Sequence, residues 1–351
     1  MKRFLALAAA FSVSPLAQAQ DFSDQQVSDH IREGRYGSVT SLLILHGGNI
    51  TYEGYFRGTD SATRHDTRSV TKTITGMAAG LAIADGAIEL ETPIAQIFTD
   101  AMPFEDDDPR KHAITVFDLL TMTGPMECND WEHFSRGNEE HMYMVDDWIS
   151  FYWDLPIRAD RPWETPASDR PHGRAFSYCT TGVQVLSEAI ARRVGMPLDD
   201  YLQERLFDPL EIEQPEWQRL AGRDAFAGGG MRLTTWELAR LAELYRAGGV
   251  QNGQHLLPED WIDRSLAEYA VIPDRENTGY GFLWWRREYE SGGQSFLSWE
   301  MAGNGGNRVL IIPALDVVAV ITKTDFNTPG MHEATDSLIE AEIVGHFASA
   351  H

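Results

Sequence analysis

Three kinds of apolar run follow one another along this chain, and their order predicts a mixed fold. Val39 to Leu45 is a β-rich run, Gly47-Gly48-Asn49 reads as a turn, and Ile50 to Phe56 is a second strand, which together predict an antiparallel hairpin. Ile74, Met77, Ala78, Leu81 and Ile83 then recur at helical spacing after Arg68-Ser69-Val70-Thr71-Lys72, and the helix they predict ends at Asp85-Gly86. Glu105 to Pro109 is an acidic, Pro-flanked loop. Residues from about 114 to 270 read as mainly helical, with long loops. Val183 to Val194 is a helix stopped by Gly195 and Pro197, and Thr234-x-x-Glu237 is a capping box opening another that runs to Gly248-Gly249. Strand signals return at Tyr280 to Trp285, Phe296 to Met301, Val309 to Ile312 and Val317 to Thr322, and His332 to Ala348 closes the chain as a helix.

Strands at both ends and helices between them predict an α+β fold: one antiparallel sheet built from both termini, flanked by helices, with a mainly helical subdomain inserted. The boundaries expected are 20–98 and 275–351 for the sheet domain and 99–274 for the helical subdomain, with the active site in the cleft between them. No internal repeat or low-complexity tract interrupts this plan.

The first residues change the compartment. Lys2 and Arg3 precede an apolar run, Phe4 to Leu16, too short to span a bilayer, and Ala17-Gln18-Ala19 supplies the small-x-small pattern of a cleavage site. Residues 1–19 are therefore expected to be a signal peptide, Gln20 the mature N-terminus, and the protein periplasmic or secreted. No other stretch approaches the roughly 18 apolar residues of a membrane span, so none is expected in the mature chain. Export takes the formal charge from −24 to −26 by removing Lys2 and Arg3, which argues against a nucleic-acid partner. Cys128 and Cys179 in an oxidising compartment suit a single disulfide, against the alternative of two buried thiols. They lie too far apart for zinc-ligand spacing, no His-Glu-x-x-His occurs, and no metal site is expected.

Lysine is scarce, with only Lys2, Lys72, Lys111 and Lys323, so a lysine at a motif position is informative. Ser69 and Lys72 stand at i and i+3, on one face of a helix, where hydroxyl and amine can meet. At a helix's first turn the dipole favours an oxyanion and disfavours a protonated lysine. Tyr178-Cys179-Thr180 precedes a helix, and Gly303-Asn304-Gly305-Gly306 precedes Asn307 and a strand. Each piece alone has a plain structural reading: a surface pair, a core tyrosine, a hairpin turn.

In this order the pieces resemble the penicillin-recognising serine hydrolases, in the branch nearest class C β-lactamases, which includes carboxylesterases, D-aminopeptidases, DD-peptidases and nylon-oligomer amidases. Ile114-Thr115-Val116-Phe117-Asp118-Leu119-Leu120-Thr121-Met122-Thr123-Gly124 is similar to a segment of that family. So are Gly173-x-x-Phe176-x-Tyr178, Leu206-Phe207-x-Pro209-Leu210, and Gly228-Gly229-Gly230-Met231. The resemblance implies that Ser69 is the nucleophile and that Lys72 and Tyr178 share the proton traffic, either acting as base. It implies an oxyanion hole formed by the backbone N–H groups of Ser69 and Asn307, with the turn Gly303, Asn304, Gly305 and Gly306 as third motif. Water would hydrolyse the acyl-enzyme without metal or cofactor. A Cys128–Cys179 bridge would tie a loop of the helical subdomain to the second motif and fix Tyr178.

Two departures shift the expected substrate. Thr180 stands where the β-lactamases have an asparagine, and no lysine or histidine occupies the third motif, where Arg308 is the nearest cation. Thr180 and Arg308 are the candidate substrate contacts, and the changes favour a small ester or amide over a β-lactam. Trp131, Trp148, Tyr152, Trp153, Trp284 and Trp285 line an acyl pocket or fill the core. The alternatives are a β-lactamase or a D-amino-acid peptidase or amidase, and beyond those a penicillin-binding sensor or binding module without turnover. An α/β-hydrolase is disfavoured because no Gly-x-Ser-x-Gly occurs.

Overall fold

The apolar runs from the two ends of the sequence meet at the centre of one sheet. The computed structural model describes residues 24–159, 176–220, 224–272, 275 and 277–349. The expected signal peptide at 1–19, the start at Gln20, and Gly173 of the second-motif segment lie outside these residues. The strands are β1 (Val39–His46), β2 (Asn49–Tyr55), β3 (Ala270–Val271), β4 (Thr278–Tyr280), β5 (Trp285–Ser291), β6 (Gln294–Gly303), β7 (Asn307–Ile312) and β8 (Val317–Lys323). They are ordered β3-β4-β5-β6-β7-β8-β1-β2, every neighbour antiparallel.

β1 and β8 read as unbroken apolar runs because both faces of the sheet are covered. Leu43 and Leu45 pair with Val320 and Val318 and join the larger core, whereas Leu42 and Ile44 pair with Ile321 and Ala319 and join a second one. The helices that position the site are α1 (Asp24–Arg32), α2 (Val70–Ala84), α3 (Thr180–Val194), α4 (Thr235–Arg246) and α5 (Met331–Leu338). α2, α3 and α4 contribute to the larger core, and α1 and the C-terminal helical run, from α5 through Ile339–Val344 to Gly345–Ala348, to the second.

α2 is buried on all sides, with thirteen of its fifteen residues, Val70 to Ala82, out of solvent. Each aliphatic side chain so buried contributes about 1.5–3 kcal/mol relative to water. Thr234 and Glu237 form the expected capping box at the start of α4. Among the described residues between β2 and β3, the regular structure is mainly helical. That stretch also carries a small sheet in which Met231–Leu233 pairs with His65–Asp66 and Glu216–Trp217, tying the glycine-rich 228–230 segment to the chain that enters α2.

One expectation is corrected. Tyr280 to Trp285 is not a strand but the corner between β4 and β5, where Tyr280 pairs with Trp285. Phe282, Leu283 and Trp284 are all buried, and Leu283 takes a φ of 59°, so the corner itself is an apolar plug. Its amides donate to Ser265 O and Leu120 O. A loop that fills the core has the composition of a strand.

Candidate active site

Ser69 caps α2 yet withholds its side chain from the helix. The Lys72 amide bonds to the Ser69 carbonyl, and the Ser69 hydroxyl makes no capping bond, although serine is a strong capping residue. The residue before it, Arg68, adopts a φ of 51°, a left-handed conformation that strains a non-glycine residue and concentrates at functional sites. This turn aims the hydroxyl out of the helix.

The hydroxyl meets Lys72. Lys72 Nζ lies 2.9 Å from Ser69 Oγ and 2.5 Å from the carbonyl of Gly228, which it donates to. Burial pushes the Lys72 ammonium below its ordinary pKa, against the pull of Glu139 and Asp130, which favour the charged form. Tyr178 is buried beside the pair: Lys72 Nζ stands 5.0 Å from its ring centre, and its hydroxyl bonds to Ser69. Burial raises the Tyr178 phenol far above its usual value, so it remains a neutral O–H donor at any physiological pH.

A cleft of about 270 Å³ opens over Ser69, lined on the sheet side by Ala302, Gly303 and Asn304. Gly303, at the end of β6, makes the closest approach to the nucleophile. A Cβ there would stand 3.4 Å from Ser69 N and 2.3 Å from Thr67 O, so only glycine lets the strand end come this near. Asn307 is buried and outside the cleft lining; its side chain donates to Asn304 O at 2.8 Å and accepts from the Lys323 amide at 3.0 Å. Gly303 thus packs against the chain that enters α2 beside the Ser69 amide. Gly305 and Gly306, with φ of 86° and 85°, turn the chain between β6 and β7.

Thr180 is fully buried, and its hydroxyl faces two carboxylates, Asp130 Oδ2 at 2.7 Å and Glu139 Oε2 at 3.2 Å. Its amide also donates to Asp130 Oδ2, at 2.8 Å. The side chain is therefore engaged within the protein. Asp130 further donates its amide to the Tyr178 carbonyl. Burial, with Glu139 beside it, raises the Asp130 carboxyl to about 6. Neither acid carries a sequence motif, and with 53 acidic residues in the chain nothing marked them out. Cys128 and Cys179 are joined as a disulfide, linking the 128–130 loop to the residue after Tyr178.

This geometry can be set beside that of known proteins. The profile of the family described as Beta-lactamase matches residues 25–342. The chain belongs to the beta-lactamase family. Among its relatives, the 6-aminohexanoate-dimer hydrolase of Paenarthrobacter ureafaciens is 24% identical over 290 residues, 80% of this chain and 71% of that protein. The penicillin-binding protein of Bacillus halodurans shares the fold with a TM-score of 0.68 at 15% identity, over 90% of this chain and 99% of the other. A D-stereospecific amidohydrolase from Streptomyces does so at 0.65 and 16%, over 92% and 98%. The chain is a serine hydrolase of this family and fold.

In this beta-lactamase-family protein the third-motif side is more cationic than its sequence suggests. Arg275, Arg287 and Arg308 line the cleft there, beside His332, which burial and the arginines keep neutral. Arg308 is fully buried and ion-paired with Glu300 at 3.1 Å and Asp336 at 2.7 Å, and its Nη1 has no hydrogen-bond partner. Arg275 is exposed and stands 4.6 Å over the Trp131 ring. Trp131 and Trp285 line the cleft and Trp131 stacks on Tyr178 at 5.6 Å, whereas Trp148, Tyr152, Trp153 and Trp284 are core residues. Among the described residues no cluster of side chains could hold a metal ion, and no helix is long and apolar enough to cross a membrane.

Proposed function

We propose that this beta-lactamase-family serine hydrolase is an exported enzyme that cleaves small esters or amides through an acyl-enzyme on Ser69. The observation that carries the reading is the Lys72 Nζ to Ser69 Oγ contact of 2.9 Å, made by a lysine whose burial favours the neutral amine. Neutral Lys72 takes the Ser69 proton as Oγ attacks the acyl carbon, and the carbonyl electron pair moves onto oxygen. The backbone N–H of Ser69, at the start of α2, receives that oxyanion together with a second backbone N–H from the turn that joins β6 to β7, and one such donor is worth about 3 kcal/mol in the barrier. Tyr178, held as a neutral phenol, passes a proton to the leaving group and is reprotonated from Lys72, so the alcohol or amine departs neutral. Water repeats the sequence on the acyl-enzyme and releases the acid. The substrate cleft lies between the sheet part, 20–98 and 275–351, and the helical part, 99–274. The disulfide suits a periplasmic or secreted protein and agrees with the leader read at 1–19.

A second reading, an amidase for substrates bearing a carboxylate, is favoured by the Arg275 and Arg287 guanidinium groups in the cleft, which offset the missing third-motif lysine. It is also the chemistry named for the 6-aminohexanoate-dimer hydrolase among the relatives. A substrate panel of p-nitrophenyl acetate and butyrate, a chromogenic cephalosporin, D-alanyl peptides and linear amides tests both. The expected result is a burst followed by steady turnover of the esters or amides, abolished in Ser69→Ala. Full steady-state rate in Ser69→Ala overturns the assignment, and a burst without turnover makes the protein a sensor.

A further inference from the structure

The two acids on the loop side of the cleft have a proton count that their geometry constrains. Thr180 has one hydroxyl proton and two carboxylate oxygens within reach, Asp130 Oδ2 at 2.7 Å and Glu139 Oε2 at 3.2 Å. A hydroxyl donates once. Both contacts are hydrogen bonds only if one carboxyl is itself protonated and donates back to Thr180 Oγ1. The Glu139 amide also donates to Asp130 Oδ1 at 2.9 Å, so the Asp130 carboxyl cannot swing away without giving up that bond. Both line the cleft over Ser69.

We propose that Asp130 and Glu139 share one proton across the Thr180 hydroxyl in mildly acidic solution, and that this pair is a positioning element that sets the protonation of Lys72. The inference rests on the reading of Lys72 as the base for Ser69. The groups facing the pair are Lys72 on α2, Tyr178 and Thr180 at the start of α3, and Tyr143, whose hydroxyl donates to Glu139 Oε2 at 3.4 Å and which feels Arg68. His133 and Glu140 line the same cleft and are exposed to solvent. Holding one proton, the pair presents a single negative charge to Lys72. A second charge would raise the lysine's proton affinity and remove the neutral amine that the reaction needs. The carboxyl of Asp130, already raised to about 6, behaves as one member of such a coupled pair. Thr180, standing where β-lactamases carry asparagine, is then the bridge of a proton-sharing unit.

The test has two arms. In the first, carbon-13 NMR follows the side-chain carboxyls of the Ser69→Ala protein through pH. A shared proton gives two coupled steps for Asp130 and Glu139, one of them near pH 6, that collapse to one step in Glu139→Gln. Two independent steps below about pH 5 overturn the proposal. This arm needs no turnover, so it stands apart from whether Ser69 catalyses. In the second, the pH profile of kcat/KM for p-nitrophenyl butyrate is measured for wild type, Glu139→Gln and Asp130→Asn. Neither variant can gain the second negative charge that wild type acquires once the shared proton leaves, so above that step the Lys72 pKa is lower in both variants and the acid limb moves to lower pH by half a unit or more. A uniform drop in rate with the limb unmoved contradicts the proposal and leaves the acids a purely structural role. Loss of all Ser69-dependent turnover in wild type, with the coupled steps intact, would instead sink the functional reading alone.

Discussion

On the sheet wall of the cleft, Arg308 and Arg287 meet Glu300 and Asp336 in four ion pairs of 2.7–3.5 Å. On the loop wall, Asp130 and Glu139 meet across a threonine hydroxyl, with Lys72 the cation they act on. Arg308, Glu300 and Lys72 are fully buried, the other charges of both walls are partly buried, and the difference lies in compensation. A buried charge with an opposite partner is fixed and indifferent to pH, whereas two buried like charges exchange protons with solvent over an accessible range. The sheet wall is therefore built for position and the loop wall for proton affinity, and Ser69 lies between them.

The largest effect separates Lys72 from all else. Lys72→Ala should lower kcat/KM for a short ester by about 10³-fold or more in a stopped assay, since base and proton shuttle are lost together. A fall below tenfold would mean that another group takes the Ser69 proton. Next comes the sheet wall: Glu300→Gln strips the shared partner from Arg287 and Arg308 and should destabilise the fold by about 3–5 kcal/mol in denaturant unfolding. Glu139→Gln on the loop wall removes a like charge and should stay within about 1 kcal/mol. Equal losses would erase the contrast. Replacing Cys128 and Cys179 together by serine opens a loop of 51 residues, for which closure entropy gives up to about 4 kcal/mol and typical cases about 2–4. Because the bridge adjoins Tyr178, activity should fall in reductant concentrations at which tryptophan fluorescence still reports the native core.

The most specific effect lies in the pH dependence of stability. His332 on the sheet wall is held near 3 by burial and by Arg308 and Arg287, below its unfolded value. Its contribution to stability is full above about pH 6.5 and is lost as pH falls towards 3. Asp130 is raised to about 6, so between about pH 4 and 6 the folded protein holds a proton that the unfolded chain has released, and stability falls as pH rises. The two walls should give opposite slopes. His332→Asn should remove the first and Asp130→Asn the second in thermal melts run from pH 4 to 7. Variants that change the slopes in the same direction would contradict the assignment.

Much of this was legible in the sequence. Val317 to Thr322 and Val39 to Leu45 are apolar on both faces, so their burial at the sheet centre followed from composition, and Thr234 with Glu237 announced α4 directly. The corner at 281–284 was not legible, because a plug of Phe282, Leu283 and Trp284 is indistinguishable by hydropathy from a strand. Scarcity of lysine pointed to Lys72, yet Lys111 and Lys323 are as deeply buried. They serve structure, Lys111 capping the Glu105 and Trp153 carbonyls and Lys323 pairing with Asp325. Ser69, Lys72 and Tyr178 were legible as an ordered set. Asp130, Glu139, Arg275 and His332 were not, since each gains meaning only from neighbours far along the chain. The close approach of Gly303 to Ser69 was not legible either, because the decisive feature is the absence of a side chain at a strand end, which a run of three glycines and two asparagines does not single out.

The central claim is covalent, and rapid-quench mass spectrometry reads it directly. Wild-type protein mixed with p-nitrophenyl butyrate and quenched in acid within the burst should carry one butyryl group on the peptide containing Ser69. The adduct should decay at the steady-state turnover rate and be absent from Ser69→Ala. Turnover without any adduct, or the same adduct on another residue in wild type and Ser69→Ala alike, would contradict the account.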